Sequence, residues 1–413
     1  MTGFLRLHSI EEARSILWEN LPKIAPGFEM LQTEQALGRI LHAPVIAREY
    51  LPAFTRSTVD GYAVQAQDTY GAADSLPAYL KNIGEVPMGA EPGFWIGKGQ
   101  TALIHTGGML PRGADAVVML ELTQGLDNGI IEIYRPVSTN ENILVKGEDA
   151  NPGDVLLQRG IRIRPEEIGS LLALGKTTVA VTKLSKVGIL SSGDEVIRPG
   201  DIPRIGQVRD INTGSLAALV RWSGGIPRAY PIVPDDPDLL ELAVRKAYSE
   251  NDMVVITAGS SASIRDLTAE VINRLGKPGV LVHGINVRPG KPTILAVCAG
   301  KPLIGLPGNP ISALVIARIF VKPLVERLSG LSQDRPEAMI QALLLSKLPS
   351  QSGREEYYPV TLARSGRHWT AQPIFYKSNL IFNLVQADGL LNIPAEITGY
   401  SANDLVDVIL LTP

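Results

Sequence analysis

The chain has 413 residues, 45% of them apolar and 20% charged, and a net charge of −3. That length exceeds one ordinary core, the composition is that of a folded protein, and the near-neutral balance excludes a field that would draw the whole molecule to nucleic acid or an anionic membrane. A single cysteine, Cys298, excludes a disulfide framework within the chain, and one Cys with five scattered His cannot build a four-ligand zinc site.

From the N-terminus, Met1–Leu7 lacks the apolar stretch of a secretory leader, and no run of about 18 apolar residues follows, so the expected location is the cytoplasm, with no membrane span. Ser9 to Asn20 reads as an amphipathic helix that Ser9 caps, with Glu12 three residues on. Leu31–Leu41 reads as a second short helix. From Pro44 to about Ala180, short apolar runs alternate with Gly and Pro, as in Thr101–Thr106, Ala116–Leu120 and Ile130–Tyr134, which predicts small β-rich modules. Between Ser185 and Gly330 the pattern changes. Val187–Leu190, Asp252–Thr257 and Pro302–Leu306 read as buried strands, with helices at Thr213–Trp222, Pro237–Ser249 and Leu267–Leu275 and a long closing helix at Ile311–Leu328. That alternation predicts a parallel sheet covered on both faces. After Pro336 the chain reads as β to its end.

In an open parallel sheet, ligands bind beyond the carboxyl ends of the strands. Here those ends carry Ser191–Glu195, Thr257–Ser261 and Gly305–Pro310, all small or turn-forming residues, the last directly before a helix whose free N–H groups suit a phosphate. The Arg288–Pro292 stretch is a stiff turn with two positive charges, but it lacks the spacing of a P-loop, and no GxGxxG follows a strand. Asp60, Asp149, Asp194, Glu195, Asp210 and Asp266 recur in or near turns. Taken singly each reads first as a turn former; together they could supply the few carboxylates that Mg²⁺ takes beside substrate phosphates.

Several of these segments, in order and over nearly the whole length, resemble one family. Arg56-Ser57-Thr58-Val59-Asp60-Gly61-Tyr62-Ala63 is similar to its RSxMDGYA segment. Thr106-Gly107 with Pro111–Val118 resembles TGxxxPxGADAVV, Gly147-Glu148-Asp149 matches GED, and Ser192–Glu195 resembles TGDE. Gly206-Gln207 with Asp210 and Asn212 resembles GQxxDSN, Arg288–Pro292 resembles KPGKP, and Gly305–Pro310 is an intact GLPGNP. The family is that of the bacterial molybdopterin molybdenumtransferases, related to the gephyrin E domain.

The resemblance implies a multidomain α/β and β fold: a linking domain (1–45 and 141–180), a β-rich lid (46–140), a central parallel α/β sheet domain of the molybdopterin-binding type (181–332) and a C-terminal β-barrel (333–413). It further implies a homodimer, with the cleft between the sheet domain of one subunit and the lid of the other. The activity implied is Mg²⁺-dependent insertion of molybdate into adenylated molybdopterin, with release of AMP. The molybdopterin adenylyltransferase and recipient apo-molybdoenzymes are the implied partners. By the same resemblance Asp266, Asp60, Asp149 and Asp210 are the candidate essential carboxylates, Asp60 and Asp266 of them on the metal. Thr106, Ser192, Gly193, Asp194, Glu195, Gly259, Ser260, Ser261, Pro307, Gly308 and Asn309 fall to the pterin and its phosphate, and Arg288, Lys291, Arg354 and Ser378 to molybdate. The chain departs from the pattern at Ala258 and Ser263, where the family has Gly, at Ile264, where an acid often stands, and at Arg288 for Lys. These departures leave a non-catalytic cofactor carrier and a tungstate-inserting enzyme as alternatives. A scaffold for a partner protein is a third, on no positive sign.

Overall fold

The computed structural model describes residues 7–23, 25–258, 262–332 and 337–411. Two compact units emerge. One comprises Met1–His42, Gly160–Pro165 and Thr178–Pro413, the other Ala43–Arg159 and Glu166–Thr177.

Helix α1 (Ile10–Asn20) begins with the expected capping box: Glu12 N–H donates to Ser9 Oγ and Ser9 N–H to Glu12 Oε2, each at 3.1 Å. Its apolar stripe of Ile10, Ala13 and Leu17 enters the main core. The expected second helix is absent. Phe28–Gln32 is strand β1, paired antiparallel with Thr178–Thr182, and only a single 3₁₀ turn, Thr33–Gln35, follows. Thr33, Ala36 and Ile40 are buried at helix-like spacing, but Gly38 turns the backbone to φ 75° between them.

The second unit is built on a six-stranded sheet. In chain order its strands are β2 (Gly61–Val64), β3 (Ala78–Glu85), β4 (Gln100–Ile104), β5 (Ala116–Met119), β6 (Thr123–Gly125) and β7 (Ile130–Ile133); in space they run β5-β2-β4-β3-β7-β6. Only β3 and β4 pair in parallel. Alternate residues serve opposite faces, as the period of two requires. Val64, Ala116 and Val118 join one apolar cluster, while Ala63, Val117 and Ile104 join another. Helix α2 (Pro165–Ala173) follows this region.

In the first unit, β1 pairs with β8 (Thr178–Thr182). The strand–helix alternation then unfolds as β9 (Lys186–Ser191), α3 (Asn212–Trp222), β10 (Ile226–Ala229), α4 (Pro237–Glu250), β11 (Met253–Ala258), α5 (Ala262–Asn273), β12 (Pro278–His283), the short β13 (Val287–Arg288), β14 (Ile294–Cys298) and β15 (Lys301–Pro307). The sheet order is β10-β9-β11-β15-β14-β12. Its first four strands are parallel; β14 pairs antiparallel with β15 and β12 antiparallel with β14, two additions that the sequence reading did not anticipate. A two-residue turn, Ala299 at φ 43° and Gly300 at φ 84°, joins β14 to β15. Positive φ at both central residues is the turn that suits a twisted hairpin. Both sheet faces are dry: Val187, Ile189 and Val255 feed one core, and Leu190, Val254 and Ile256 the other.

The closing helix is two segments, α6 (Pro310–Ile316) and α7 (Lys322–Leu328), joined by a π-helical stretch at Ala317–Val321. Pro323 has no N–H for the carbonyl of Ile319, and the Arg14 guanidinium donates to that oxygen at 3.4 Å.

The C-terminal region is a closed five-strand barrel. Strands β16 (Met339–Leu344), β17 (Glu355–Ser365), β18 (His368–Pro373), β19 (Gly389–Ile393) and β20 (Leu405–Leu410) run β17-β18-β16-β20-β19 and return to β17. A single helical turn, α8 (Phe382–Val385), interrupts the otherwise β course. The short β13 adds in parallel to the outside of this ring, pairing Val287 with Glu355 and Arg288 with Glu356.

Candidate functional site

The parallel registers place the ends of β9, β11 and β15 side by side: Ser191 opposite Thr257, and Thr257 opposite Leu306. Hydroxyls tie the edge together, with Ser191 Oγ 2.8 Å from Thr257 Oγ1 and 3.1 Å from Thr213 Oγ1. Beyond them opens a cavity of about 380 Å³, lined by Ser192, Glu195, Asp210, Asn212, Gly308 and Asn309 among others. The starts of α3 and α6 both reach it, through Asn212 and Pro310. Asp210 is nearly buried and accepts the Thr213 N–H at 3.1 Å, which caps the first turn of α3. Asn212 donates through Nδ2 to Gly308 O at 2.8 Å and so holds the β15–α6 turn against α3. Two buried atoms of the lining, Ser192 Oγ and Asn212 Oδ1, find no hydrogen-bond partner among the described residues. Buried polar groups left this way are costly, so a ligand with both donors and acceptors fits the cavity. Gly193, at φ 147°, permits the sharp exit from β9; a Cβ there would meet Glu195 Oε2 at 2.8 Å.

A second cavity of about 560 Å³ shares Asn309 with the first. Arg288, Lys291, Arg354 and Ser378 all line it, and Lys377 adds a fourth cation. The Arg288–Pro292 turn supplies the first two from the sheet side. Gly290 sits at φ 119°, and a Cβ on it would fall 2.3 Å from Ile316 Cγ1, so only glycine lets this turn lie flat on α6. The barrel supplies the rest. Ser378 O accepts the Ile311 N–H at 3.1 Å, and Ser378 Oγ accepts from Asn309 Nδ2 at 3.0 Å, which fastens the barrel turn to the start of α6. Below the arginines lies Glu356, fully buried, with Arg354 Nη2 at 2.6 Å and Arg288 Nη1 at 3.6 Å from its Oε1. A rigid set of cations with one internal counter-charge is suited to a small multivalent anion.

Three family models match the chain in succession. They describe the MoeA N-terminal region, domains I and II (residues 8–175), a probable molybdopterin binding domain (188–327) and the MoeA C-terminal region, domain IV (341–411). A putative molybdopterin biosynthesis protein of Methanocaldococcus jannaschii is 35% identical, the alignment covering 91% of this chain and 90% of that protein. This chain belongs to the MoeA family. The molybdopterin molybdenumtransferase of Bacillus subtilis is 31% identical over 93% of this chain and 90% of its own length. Among solved structures, a MoeA protein of molybdopterin biosynthesis from Pyrococcus horikoshii OT3 superimposes with a TM-score of 0.83 at 29% identity, covering 98% of this chain and 100% of that one. Molybdenum cofactor biosynthesis is therefore the process to which this fold belongs.

Not every expected MoeA-type residue falls in the two cavities. Asp60, Thr106 and Asp149 lie in the second unit. Asp60 Oδ1 accepts from Thr106 N–H at 2.7 Å and from its hydroxyl at 3.1 Å, with His105 Nδ1 at 3.6 Å. Those hydrogen bonds, the backbone one foremost, hold the Asp60 carboxyl below its ordinary value. Asp149 donates its N–H to Leu51 O at 2.9 Å. Asp266 is exposed on α5, and Pro307 closes β15. Gly259, Ser260 and Ser261 lie outside the described residues, as do the side chains of Ser263 and Ile264. Asp194 accepts the Asp235 N–H at 3.1 Å; burial, then the Asp194 and Glu195 charges, push the Asp235 carboxyl up. Among the described residues no three His, Cys, Asp or Glu side chains gather as a protein-only metal cage. The first cavity does offer two carboxylates, Glu195 and Asp210, a number that fits Mg²⁺ completed by substrate phosphates and water. Sequence reasoning noted Asn212 only as part of a family motif, without a role, and missed Glu356 and Lys377 as site residues. Glu356 had a weak signal, an Arg-x-Glu spacing of the kind that, in an extended segment, points two side chains to one side.

Proposed function

We propose that the chain is a molybdopterin molybdenumtransferase: it inserts molybdate into adenylated molybdopterin and releases AMP in the last step of molybdenum cofactor synthesis. The observation that carries this reading is the pair of cavities joined at Asn309, one polar with two helix starts, the other lined by four cations.

In this reading the first cavity binds the pterin and its phosphate. Ser192 Oγ and Asn212 Oδ1 gain the partners they lack, and the N–H groups at the start of α3 and α6 face the phosphate. Arg288, Lys291 and Arg354 hold the molybdate dianion in the adjoining cavity, with Ser378 orienting it. Water opens the phosphoanhydride so that AMP departs, and the two dithiolene sulfurs replace molybdate oxygen, which leaves as water with the thiol protons, so that the metal remains on the dithiolene. Mg²⁺, when bound, neutralises charge on the pyrophosphate; Glu195, Asp210 and Asp266 are the carboxylates this unit offers it, and the family resemblance adds Asp60. The same resemblance makes the working form a cytoplasmic homodimer that receives its substrate from the adenylyltransferase and serves apo-molybdoenzymes.

The test is AMP release from adenylated molybdopterin with Mg²⁺, in the presence of molybdate, of tungstate or of neither. Oxyanion-dependent release is expected. Tight binding without release under all three conditions would replace this reading with that of a cofactor carrier, and release with tungstate alone would change the metal.

A further inference from the structure

Behind the lining of the second cavity lies a charge that its reading as an oxyanion site does not call for. A pocket meant only to attract anions gains nothing from a buried carboxylate, yet Glu356 is fully buried directly behind its arginines. We propose that Glu356 is a positioning residue that sets which oxyanion the cavity accepts, by locking Arg288 and Arg354 into one fork of fixed width.

The argument starts with where the three residues stand. Glu356 is the second residue of β17, and Arg354 stands in the bend just before that strand, where its guanidinium folds back onto the Glu356 carboxylate. Arg288 is the register partner of Glu356 on the neighbouring strand β13. One carboxylate therefore lies between a guanidinium from the bend before its own strand and one from the sheet-side turn. Oε1 takes both contacts: Arg354 donates through Nε at 2.7 Å and Nη2 at 2.6 Å, and Arg288 Nη1 stands at 3.6 Å. Without the carboxylate two like charges would share this space and repel. The backbone around the fork is also pinned. Asn286 Nδ2 donates to Gly353 O, and Glu355 N–H donates to Asn286 O at 3.2 Å.

The consequence is selectivity. Sulfate and molybdate are both tetrahedral dianions, so attraction by the four cations cannot tell them apart; they differ in size. Guanidiniums free to swing would close equally well on either. Guanidiniums held at one spacing favour the ion that matches it and leave the smaller one with stretched hydrogen bonds. The inference rests on the proposed role of this cavity, and its test separates the two.

The measurement is calorimetric binding of sodium molybdate and of sodium sulfate to the full-length protein, wild type and Glu356→Gln. The quantity read is the ratio of the two dissociation constants, in which any uniform gain of positive charge cancels. We expect wild type to prefer molybdate and Glu356→Gln to lose about tenfold of that preference, the worth of one charge-assisted contact. Glu356→Asp keeps the charge but withdraws it by one methylene, so it should fall between the two. It decides the matter if the Gln variant does not fold. An unchanged ratio in the folded variants, with both affinities shifting together, would overturn the proposal. So would a wild type that binds both ions equally. A wild type that binds neither ion would instead overturn the oxyanion reading of the cavity itself.

Discussion

At the scale of single residues, Asp60 shows how a turn can hold a carboxylate charged. Its Oδ1 faces the Thr106 N–H and hydroxyl, and His105 stands next to it with Glu85 on the far ring nitrogen at 3.2 Å. The carboxyl is therefore held below its ordinary value. A group depressed on folding contributes stability above its unfolded value and loses it as pH falls through the folded one. The Asp60 side chain is exposed, so the effect on global stability is small and the local titration is the sensitive readout. We expect a carboxyl NMR titration to place the Asp60 midpoint below those of exposed aspartates elsewhere in the chain. Thr106→Ala removes the hydroxyl contact and keeps the N–H, so the midpoint should rise only part of the way. A midpoint unaltered by that change would assign the whole shift to the backbone. Arg288 and Lys291 were legible as a cationic turn at this scale because Arg, Lys and Pro in a short stretch carry an obvious electrostatic meaning, whereas Arg354 and Ser378 came only from the family resemblance. Glu356 carried only the weak signal of its Arg-x-Glu spacing, and nothing in residue order distinguished it from the adjacent Glu355 as the carboxylate that is fully buried.

The secondary-structure elements repeat that contrast. Capping, strand ends and the alternation of strands with helices act locally, so Ser9 with Glu12, β9, β11, β15 and α3 to α5 could be read from residue order. What depended on distant partners could not. The stretch from Phe28 becomes a strand because Thr178–Thr182 pairs with it, and β14 runs antiparallel to β15 because Ala299-Gly300 closes a hairpin between them, with β12 pairing antiparallel on the far side of β14. The closing helix was read at nearly its right length, but its π-helical stretch follows from Pro323 and the freed Ile319 carbonyl together. Gly290 offers a test at this scale. It has two reasons to be glycine, a φ of 119° and the approach of Ile316 Cγ1. Gly290→Ala is expected to cost on the order of 2 kcal/mol through backbone strain and overpacking. Thermal melts would record that loss. Because the strain falls on the turn that carries Arg288 and Lys291, the KM for molybdate should also rise while the KM for the pterin moves little. Equal changes in both would mean that the damage spreads through α6 and is not confined to the turn.

For the whole molecule, net charge and local charge point in opposite directions. The chain carries −3 overall, so its far field does not gather anions, yet four cations line one cavity of the first unit. In the proposed reading, molybdate is therefore captured by a short-range field. The Debye length is about 10 Å at 0.1 M salt and about 3 Å at 1 M, so attraction by partly exposed side chains such as Arg288, whose side chain is 54% exposed, is screened strongly over that interval. The Glu356–Arg354 contact is screened less, because the Glu356 side chain is fully buried. Raising the ionic strength should thus weaken capture while leaving the fork intact. We expect the KM for molybdate to rise several-fold between low salt and about 0.5 M of a salt whose anion is not tetrahedral, with kcat nearly unchanged. The preference for molybdate over sulfate should persist through the same titration, since geometry and not field strength sets it. A KM that ignores salt would show that the cavity holds its anion by hydrogen bonds alone. A preference that fades with salt would show that the arginines are not held at a fixed spacing.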